Sequence, residues 1–452
     1  MYDIIEIYGM AKNIRLLAQY YDTTTDAVIE ETIIDDQEVL KATVLRDLGY
    51  NHKQQIDCLQ KIQDFKLSYQ LQLSPPIICP KCQGKLSKQG VFDSKFHAVL
   101  SDHKAKLQRM SCKCGYKSPV SIDGMYGSSI HADLLKKQAI QGSQLSYDKA
   151  SQVLDAESCH KRSINSHSQI YKSVKLVSEP LEEIRKASQP VTNKDAAESL
   201  IANIDGGHIK SRGDARSFEA MIATVYRPKN IKKVDKHHNL ITKKSTVASA
   251  KSDSQQSMYA LFKSACESQG MNKNTEVVCL ADGATNCRSI AHSVEDYCKN
   301  VTYILDWFHI GMKFKNYSSA VPEEHKDLYD NIKWSLWHGN TDKALQRFDE
   351  LKNLIEDTVV LAKLNKLYIY IENNKEGIVN YEARKTSALV FTSNLAESTV
   401  NILINERQKG KQRMLWSRDG AHNVLQIRAS LNSKSWDREW PKVEGIIYKI
   451  AA

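Results

Sequence analysis

Three aspartates stand at the ends of short apolar runs: Asp205 after Leu200-Ile-Ala-Asn-Ile, Asp282 after Glu276-Val-Val-Cys-Leu-Ala, and Asp306 after Val301-Thr-Tyr-Ile-Leu. If those runs are neighbouring strands of one open sheet, the carboxylates leave the core close together on a rigid support. Like charges that close repel, and a cation among them relieves the repulsion. Hard oxygen ligands favour magnesium or manganese. Two such ions about 3.5–4 Å apart activate an attacking oxygen and stabilise a leaving one at phosphorus. A helix packed on the sheet should supply the last carboxylate, and Glu397 in Ser393-Asn-Leu-Ala-Glu-Ser-Thr-Val is the candidate. Taken singly, each has a plainer reading, Asp-Gly as a turn and Asn394 with Glu397 as a capping box.

A second chemistry belongs to sulfur. Ten cysteines are too sparse for a disulfide scaffold, yet four of them, Cys79, Cys82, Cys112 and Cys114, crowd into one short stretch. Two close thiolate pairs separated by a loop are what a tetrahedral structural zinc site needs, with His97 or His103 as alternative ligands. The charge is uneven in the same region. The chain carries a formal +10; residues 77–175 hold 16 basic and 7 acidic side chains, whereas residues 1–76 hold 7 and 12. A concentrated basic block is the electrostatic footprint of a phosphate-rich partner, which beside the acidic strand ends would be nucleic acid.

The elements that must position these groups follow from periodicity and punctuation. Residues 1–76 read as amphipathic helix and turn, closing at Pro75-Pro76, and residues 77–120 as the zinc module. Residues 121–175 read as short helices, one capped by Ser146 and one running from Ser158 to Val174 after a four-residue turn. A polar second helix bearing Lys161, Arg162, Asn165, His167 and Gln169 fits a helix-turn-helix that reads DNA. Residues 176–198, with Pro180 and Pro190, read as a linker. Residues 199–310 follow as β, β, β, α, β, α, β, residues 311–390 are wholly helical, and residues 391–452 return to the core. No apolar run approaches a membrane span and the start lacks a signal-peptide layout, so a soluble, cytoplasmic, nucleoid-associated protein is expected.

Five blocks in order, NIDGGHIKSR (203–212), LADGATN (280–286), ILDWFHI (304–310), SNLAES (393–398) and the basic run 406–440, resemble the DDE transposases of bacterial insertion sequences. Within these the chain looks like the Kra-type family, related to Mutator-like enzymes. The resemblance implies an α/β catalytic core, an RNase H-like mixed sheet with a helical insertion before the final glutamate. It also implies that Asp205, Asp282 and Glu397 ligate Mg2+ or Mn2+, and that Asp306 and His309 form an accessory Asp-x-x-His motif near the site. Asp306 stays a rival for the second ligand position, because it too ends a strand. Arg407, Lys411, Arg413, Trp416 and Arg418 are candidates for DNA contact by phosphate pairing and stacking. The implied activity is metal-dependent cleavage and strand transfer on DNA, with the element's terminal repeats and a target as partners and a homo-oligomer at synapsis. The rival readings are an inactive, transposase-derived DNA-binding regulator and a structure-selective nuclease.

Overall fold

A computed structural model describes residues 12–187, 192, 195–213, 216–233, 239–393, 398–409 and 414–448. The chain divides into two compact units, one of residues 1–173 with 444–452 and one of residues 174–443.

The first unit opens with an antiparallel hairpin, β1 (Asn13–Tyr21) and β2 (Val28–Glu38), followed by α1 (His52–Leu73). This corrects the helical reading of the segment after Asp26. Val28, Ile29, Thr32, Ile33 and Ile34 are β-branched, and pairing with β1 outweighs the glutamates that had suggested a helix. Tyr20 stacks on Phe65 and Tyr69 of α1, ring centroids 4.5 and 4.0 Å away. A second hairpin, β3 (Ser87–His97) and β4 (Asp102–Ser111), packs Ala105 and Leu107 against Leu67 and Leu71 of α1. The short α2 (Ile122–Tyr126), then α3 (Ala132–Gln144) and α4 (Tyr147–Glu157), complete the run to α5 (His167–Lys186).

That last boundary differs from the sequence reading twice. Residues 158–166 form turns and a 3-10 turn at Ser163–Asn165 instead of the α-helix expected from Ser158, and α5 runs through Pro180 where a linker was expected. Ile170, Val174, Val177 and Leu181 form a buried stripe at helical spacing, and burying it outweighs the hydrogen bond that Pro180 removes.

The second unit is built on a five-stranded mixed sheet: β5 (Ser199–Lys210), β6 (Ser217–Tyr226), β9 (Ser245–Ser249), β10 (Glu276–Ala281) and β11 (Asn300–Leu305), in the order β11-β10-β5-β6-β9. β7 (Ile231–Lys233) and β8 (Asn239–Ile241) form a small hairpin inside the β6–β9 connection. β10 is parallel to β5 and β11, and β6 is antiparallel to β5 and β9. α6 (Gln256–Ser268) and α7 (Thr285–His292) bury one face, packing Met258, Leu261, Phe262 and Ile290 on Leu200, Ala202, Ile204 and Met221. The alternate residues, Ile201, Leu280 and Ile304, belong to a second core. Its helices are α8 (Trp307–Ser318), α9 (Lys326–Trp337), α10 (Thr341–Leu354), α11 (Thr358–Asn373) and α12 (Tyr381–Thr386), in line with the helical stretch expected there. α13 (Ser398–Val400), a π-helical turn at Asn401–Asn405 and α14 (Glu406–Gln408) form one segment, followed by α15 (Arg418–Asn432) and α16 (Trp436–Ile447). Among the described residues no helix is long and apolar enough to cross a membrane.

Candidate active site

Register places the aspartates. Ala281 of β10 pairs with Ile204 of β5 on one side and Leu305 of β11 on the other. The next position in the row is therefore Asp205, Asp282 and Asp306 on three adjoining chains. Asp205 alternates with Ile204 and so leaves β5 on the face of the helical stretch, whereas Asp282 and Asp306 follow the last residues of β10 and β11. β5 does not end at Asp205, as the Asp-Gly-Gly signal had suggested; it continues to Lys210, paired with β6, after β10 has left it. The glycines serve close approach instead. A Cβ on Gly206 would meet Glu219 Oε1 at 2.8 Å, and one on Gly207 would meet Ile404 Cδ1 at 2.8 Å.

Asp205, Asp306, His309, Ser393 and Thr399 line one narrow cleft. Asp306 is fully buried and its carboxylate is spoken for. It caps α8 through the Phe308 amide at 3.1 Å, accepts from His309 Nδ1 at 2.8 Å, and receives the Ser393 amide at 2.9 Å and the Ser393 hydroxyl. A carboxylate with four donors is a poor rival for a metal, so Asp306 acts by orienting His309 and anchoring the chain at Ser393. Asp282 is held more lightly, by the Ala284 amide at 2.9 Å. Its position is fixed by backbone: Tyr370 of α11 donates to its carbonyl at 2.8 Å. Gly283, at φ +93°, passes so near Asn374 that a Cβ would lie 2.6 Å from that side chain.

Burial, foremost, raises the pKa of Asp205; the His309 charge and the Gly206 amide oppose this, and the charges of Asp282 and Asp306 add to it. Burial disfavours a charge on His309, yet the hydrogen bond and charge of Asp306 with the fields of Asp205 and Asp282 raise its pKa above the ordinary value. The cleft thus holds two carboxylates with one weak base beside them, within the field of Asp282.

Glu219 is a further carboxylate that sequence reasoning missed. It lies on β6, pairs across the sheet with His208, and accepts from Asn286 Nδ2 at 2.6 Å. The available signal was a glutamate two positions before Met221, on the strand face that otherwise packs the core. Glu397, Lys411 and Arg413 lie outside the described residues.

The segment behind Asp205 is irregular for an identifiable reason. Arg428 of α15 donates to the carbonyls of Leu403, at 3.1 Å, and Ile402, and pairs with Glu406 at 3.1 Å. Carbonyls occupied by a guanidinium are diverted from the α-helical ladder, which accounts for the π-helical turn.

Two of the candidate DNA contacts after it are interior. Arg407 is fully buried, with its guanidinium 4.7 Å over the Trp416 ring, and Trp416 is itself 3% exposed. Trp416 is bound into the core by backbone, donating to Lys210 O at 3.0 Å and accepting from Arg212 N at 2.8 Å. Arg418 is half-buried and pairs with both oxygens of Asp253 at 3.0 Å. In the first unit Arg162 and Asn165 are likewise structural rather than base-reading. Arg162 is buried, donating to Val99 O at 2.7 Å and to Ala98 O and Ser101 O at 2.9 Å, and pairing with Asp102; Asn165 donates to Asp155 at 2.9 Å. These contacts hold residues 158–166 out of the helix. Lys161 is exposed and Gln169 half-buried.

The cysteines converge. The ligand atoms of Cys79, Cys82, Cys112 and Cys114 all lie within 4.8 Å of one another, with Cys79 3.6 Å from Cys114 and Cys82 3.4 Å from Cys112. Four sulfurs about 2.3 Å from a tetrahedral zinc are about 3.8 Å apart, so the set fits that ion. Each pair sits on a tight turn, closed by Gln83 N to Cys79 O at 2.9 Å and by Gly115 N to Cys112 O at 3.0 Å. Burial opposes ionisation of Cys79, but the amides of Cys82 and Lys81 and the neighbouring thiols bring its pKa down to about 7. His97 and His103 are not ligands: they are engaged by Asp102 at 2.7 Å and Asp64 at 2.6 Å.

A mixed α/β unit with an acidic row at one sheet edge is the class that fold and site define. Residues 127–443 match the model described as uncharacterised protein family UPF0236, and the chain belongs to that family. Among solved structures the chain is similar to the Drosophila P element transposase strand transfer complex, at 10% identity and a TM-score of 0.30, over 68% of this chain and 93% of that one. No curated protein matches it.

Proposed function

We propose that the chain is a DDE-type transposase of an insertion sequence, with an RNase H-like core that holds Mg2+ or Mn2+ and acts on DNA. The observation that carries this reading is that Asp205, Asp282 and Asp306 each follow a residue of one paired row and lie near enough for the charges of Asp282 and Asp306 to act on Asp205. The five sequence blocks that resemble this class support it independently.

The donor set suits a hard divalent cation. Asp205 and Asp282 offer carboxylate oxygens that protein donors leave largely free, and Glu397 is assigned as the third ligand from the sequence. When bound, the cation supplies charge stabilisation for an attacking and a leaving oxygen at phosphorus. The chain's own residues do the rest. Asp205 and Asp282 fix the acidic edge on the sheet. Asp306 orients His309, whose charged form the neighbouring carboxylates favour, and in that form it would pair with a phosphate oxygen. The four-cysteine hairpin is assigned a structural zinc. Lys161, Gln169 and Arg418, with Lys411 and Arg413, remain the assigned DNA contacts, on element ends and target, and pairing of two ends requires a homo-oligomer.

The test is cleavage of a labelled duplex carrying the element's terminal sequence, with magnesium, manganese or EDTA, for the native chain beside Asp205→Asn. Metal-dependent nicking at the boundary that the variant loses supports the reading. Specific binding without cleavage would replace it by the DNA-binding regulator.

A further inference from the structure

The second unit carries a strongly basic cleft that the acidic edge does not use. It has a volume of about 440 Å3 and lies at the start of β9, bounded by the ends of α5, α6 and α15 and by α16. Asp205 pairs with Ile222, and Ile222 with Ala248, so the cleft at Ser245 is two strands away and three positions further along the sheet.

Six cationic side chains line it, Arg185, Lys243, Lys244, Lys434, Arg438 and Lys442, against one carboxylate, Glu439. That carboxylate is already used, by Arg185 Nε at 3.5 Å and by the Ser430 hydroxyl at 2.5 Å. Arg185 is 9% exposed and donates through Nη2 to Thr246 O at 2.6 Å, while its buried Nη1 has no hydrogen-bond partner. Lys244 is half-buried with its pKa lowered, first by burial and then by the charge of Lys434. Charged groups are not ordinarily gathered this way without a counter-charge.

Helix ends are one source of counter-charge here. Residues at the C-terminal ends of α5, α6 and α15 line the cleft, and each end contributes roughly half a negative charge. Together with Glu439 they offset less than half of the positive charge, so an anion is still called for.

We propose that this cleft is a binding site for phosphate groups, remote from the acidic row and independent of the chemistry assigned to it. The cleft is large enough for more than one phosphate, and its cations come from four elements, which suits a run of phosphates better than a single ion. Such a run comes from a nucleic-acid backbone or from a free polyphosphate such as a nucleotide.

The experiment uses the full, zinc-loaded chain and two probes: tripolyphosphate by calorimetry and a labelled DNA duplex by anisotropy across a salt series. Two exposed lysines are changed together, Lys243→Ala with Lys442→Ala, beside a charge-keeping pair, Lys243→Arg with Lys442→Arg. The native chain and the arginine pair should bind tripolyphosphate, and the alanine pair should bind at least about tenfold more weakly. If duplex affinity falls as well, with a salt slope smaller by about two, the phosphates are those of nucleic acid. Unchanged duplex affinity with lost tripolyphosphate binding assigns the site to a free polyphosphate. Tripolyphosphate binding that is absent, or equal in native and alanine chains, overturns the proposal. None of these readouts uses Asp205 or Asp282, so the cleft can fail while the cleavage reading stands, and the reverse.

Discussion

Glu182 and Asp205 are two largely buried carboxylates of the same unit, and their pKa values move in opposite directions. Around Glu182 the chain has gathered its own donors: the ammonium groups of Lys186 at 2.7 Å and Lys251 at 3.3 Å, with His422 at 3.1 Å and the Ser257 hydroxyl at 2.8 Å. Burial works against the charge there, but His422, Lys186 and Ser257 outweigh it and lower the pKa well below the ordinary carboxylate value. Around Asp205 the neighbours are mostly carboxylates, and the pKa rises. The first arrangement is electrostatically complete and belongs to stability. The second is short of positive charge, which is what the proposed cation site requires. The cysteine cluster of the other unit is a third solution, in which anionic ligands are supplied by two turns with a small core around them, Cys79, Leu86 and Met110.

The contrast can be broken at several points. The largest effect is expected from chelation or Cys79→Ser. Structural zinc contributes on the order of 10 kcal/mol of apparent binding free energy at neutral pH, so amide exchange should lose protection around residues 77–117 and keep it in the sheet of the second unit. Asp205→Asn should lower boundary cleavage at least about 10³-fold, roughly 4 kcal/mol, while the melting temperature holds or rises; a cold-labile or unfolded variant would place Asp205 with Glu182 as a structural residue.

Glu182→Gln should do the opposite, costing about 3 kcal/mol of stability by removing the buried carboxylate that Lys186, Lys251, His422 and Ser257 share. The same group sets an acid limb. A carboxylate whose folded pKa is depressed contributes stability that is present above its unfolded value and lost as the pH falls towards the folded one. The native chain should therefore lose stability as the pH drops below the ordinary glutamate range, and the Gln variant should be flatter there in a denaturation series. Smaller again, magnesium at about a hundred times its Kd should stabilise the native chain by about 2.7 kcal/mol and leave Asp205→Asn unmoved. The smallest shift is expected from Arg418→Ala, whose partner Asp253 is exposed: below about 1 kcal/mol in a melting experiment, so that any loss of duplex binding reads as contact and not as unfolding.

The acidic row was legible in the sequence because parallel strands with apolar runs of similar length bring their ends together, and residues 276–281 and 300–305 are the strands that pattern predicts. The four cysteines were legible because each pair is local. What was hidden depends on partners distant in sequence. Arg162 and Arg407 look like solvated cations until Ala98, Val99 and Ser101, or the Trp416 ring, are brought to them. Asp306 looks equal to Asp282 until Ser393 arrives across the helical stretch to occupy it. Pro180 reads as a break, and only the burial of Val177 and Leu181 overrules it. The N-terminal hairpin was hidden for a more local reason: acidic residues beside β-branched ones in Val28–Glu38 resemble an amphipathic helix, and the pairing with β1 is not visible in the segment itself.

Residues 401–405 carry one residue more than an α-helix would need for the same turn. Such an excess can be removed. Deleting one residue there would wind the segment tight and swing Thr399 and Val400 about 100° around its axis, away from the cleft they line. Chain length in this segment is thus part of what sets the wall of the cleft beside Asp205.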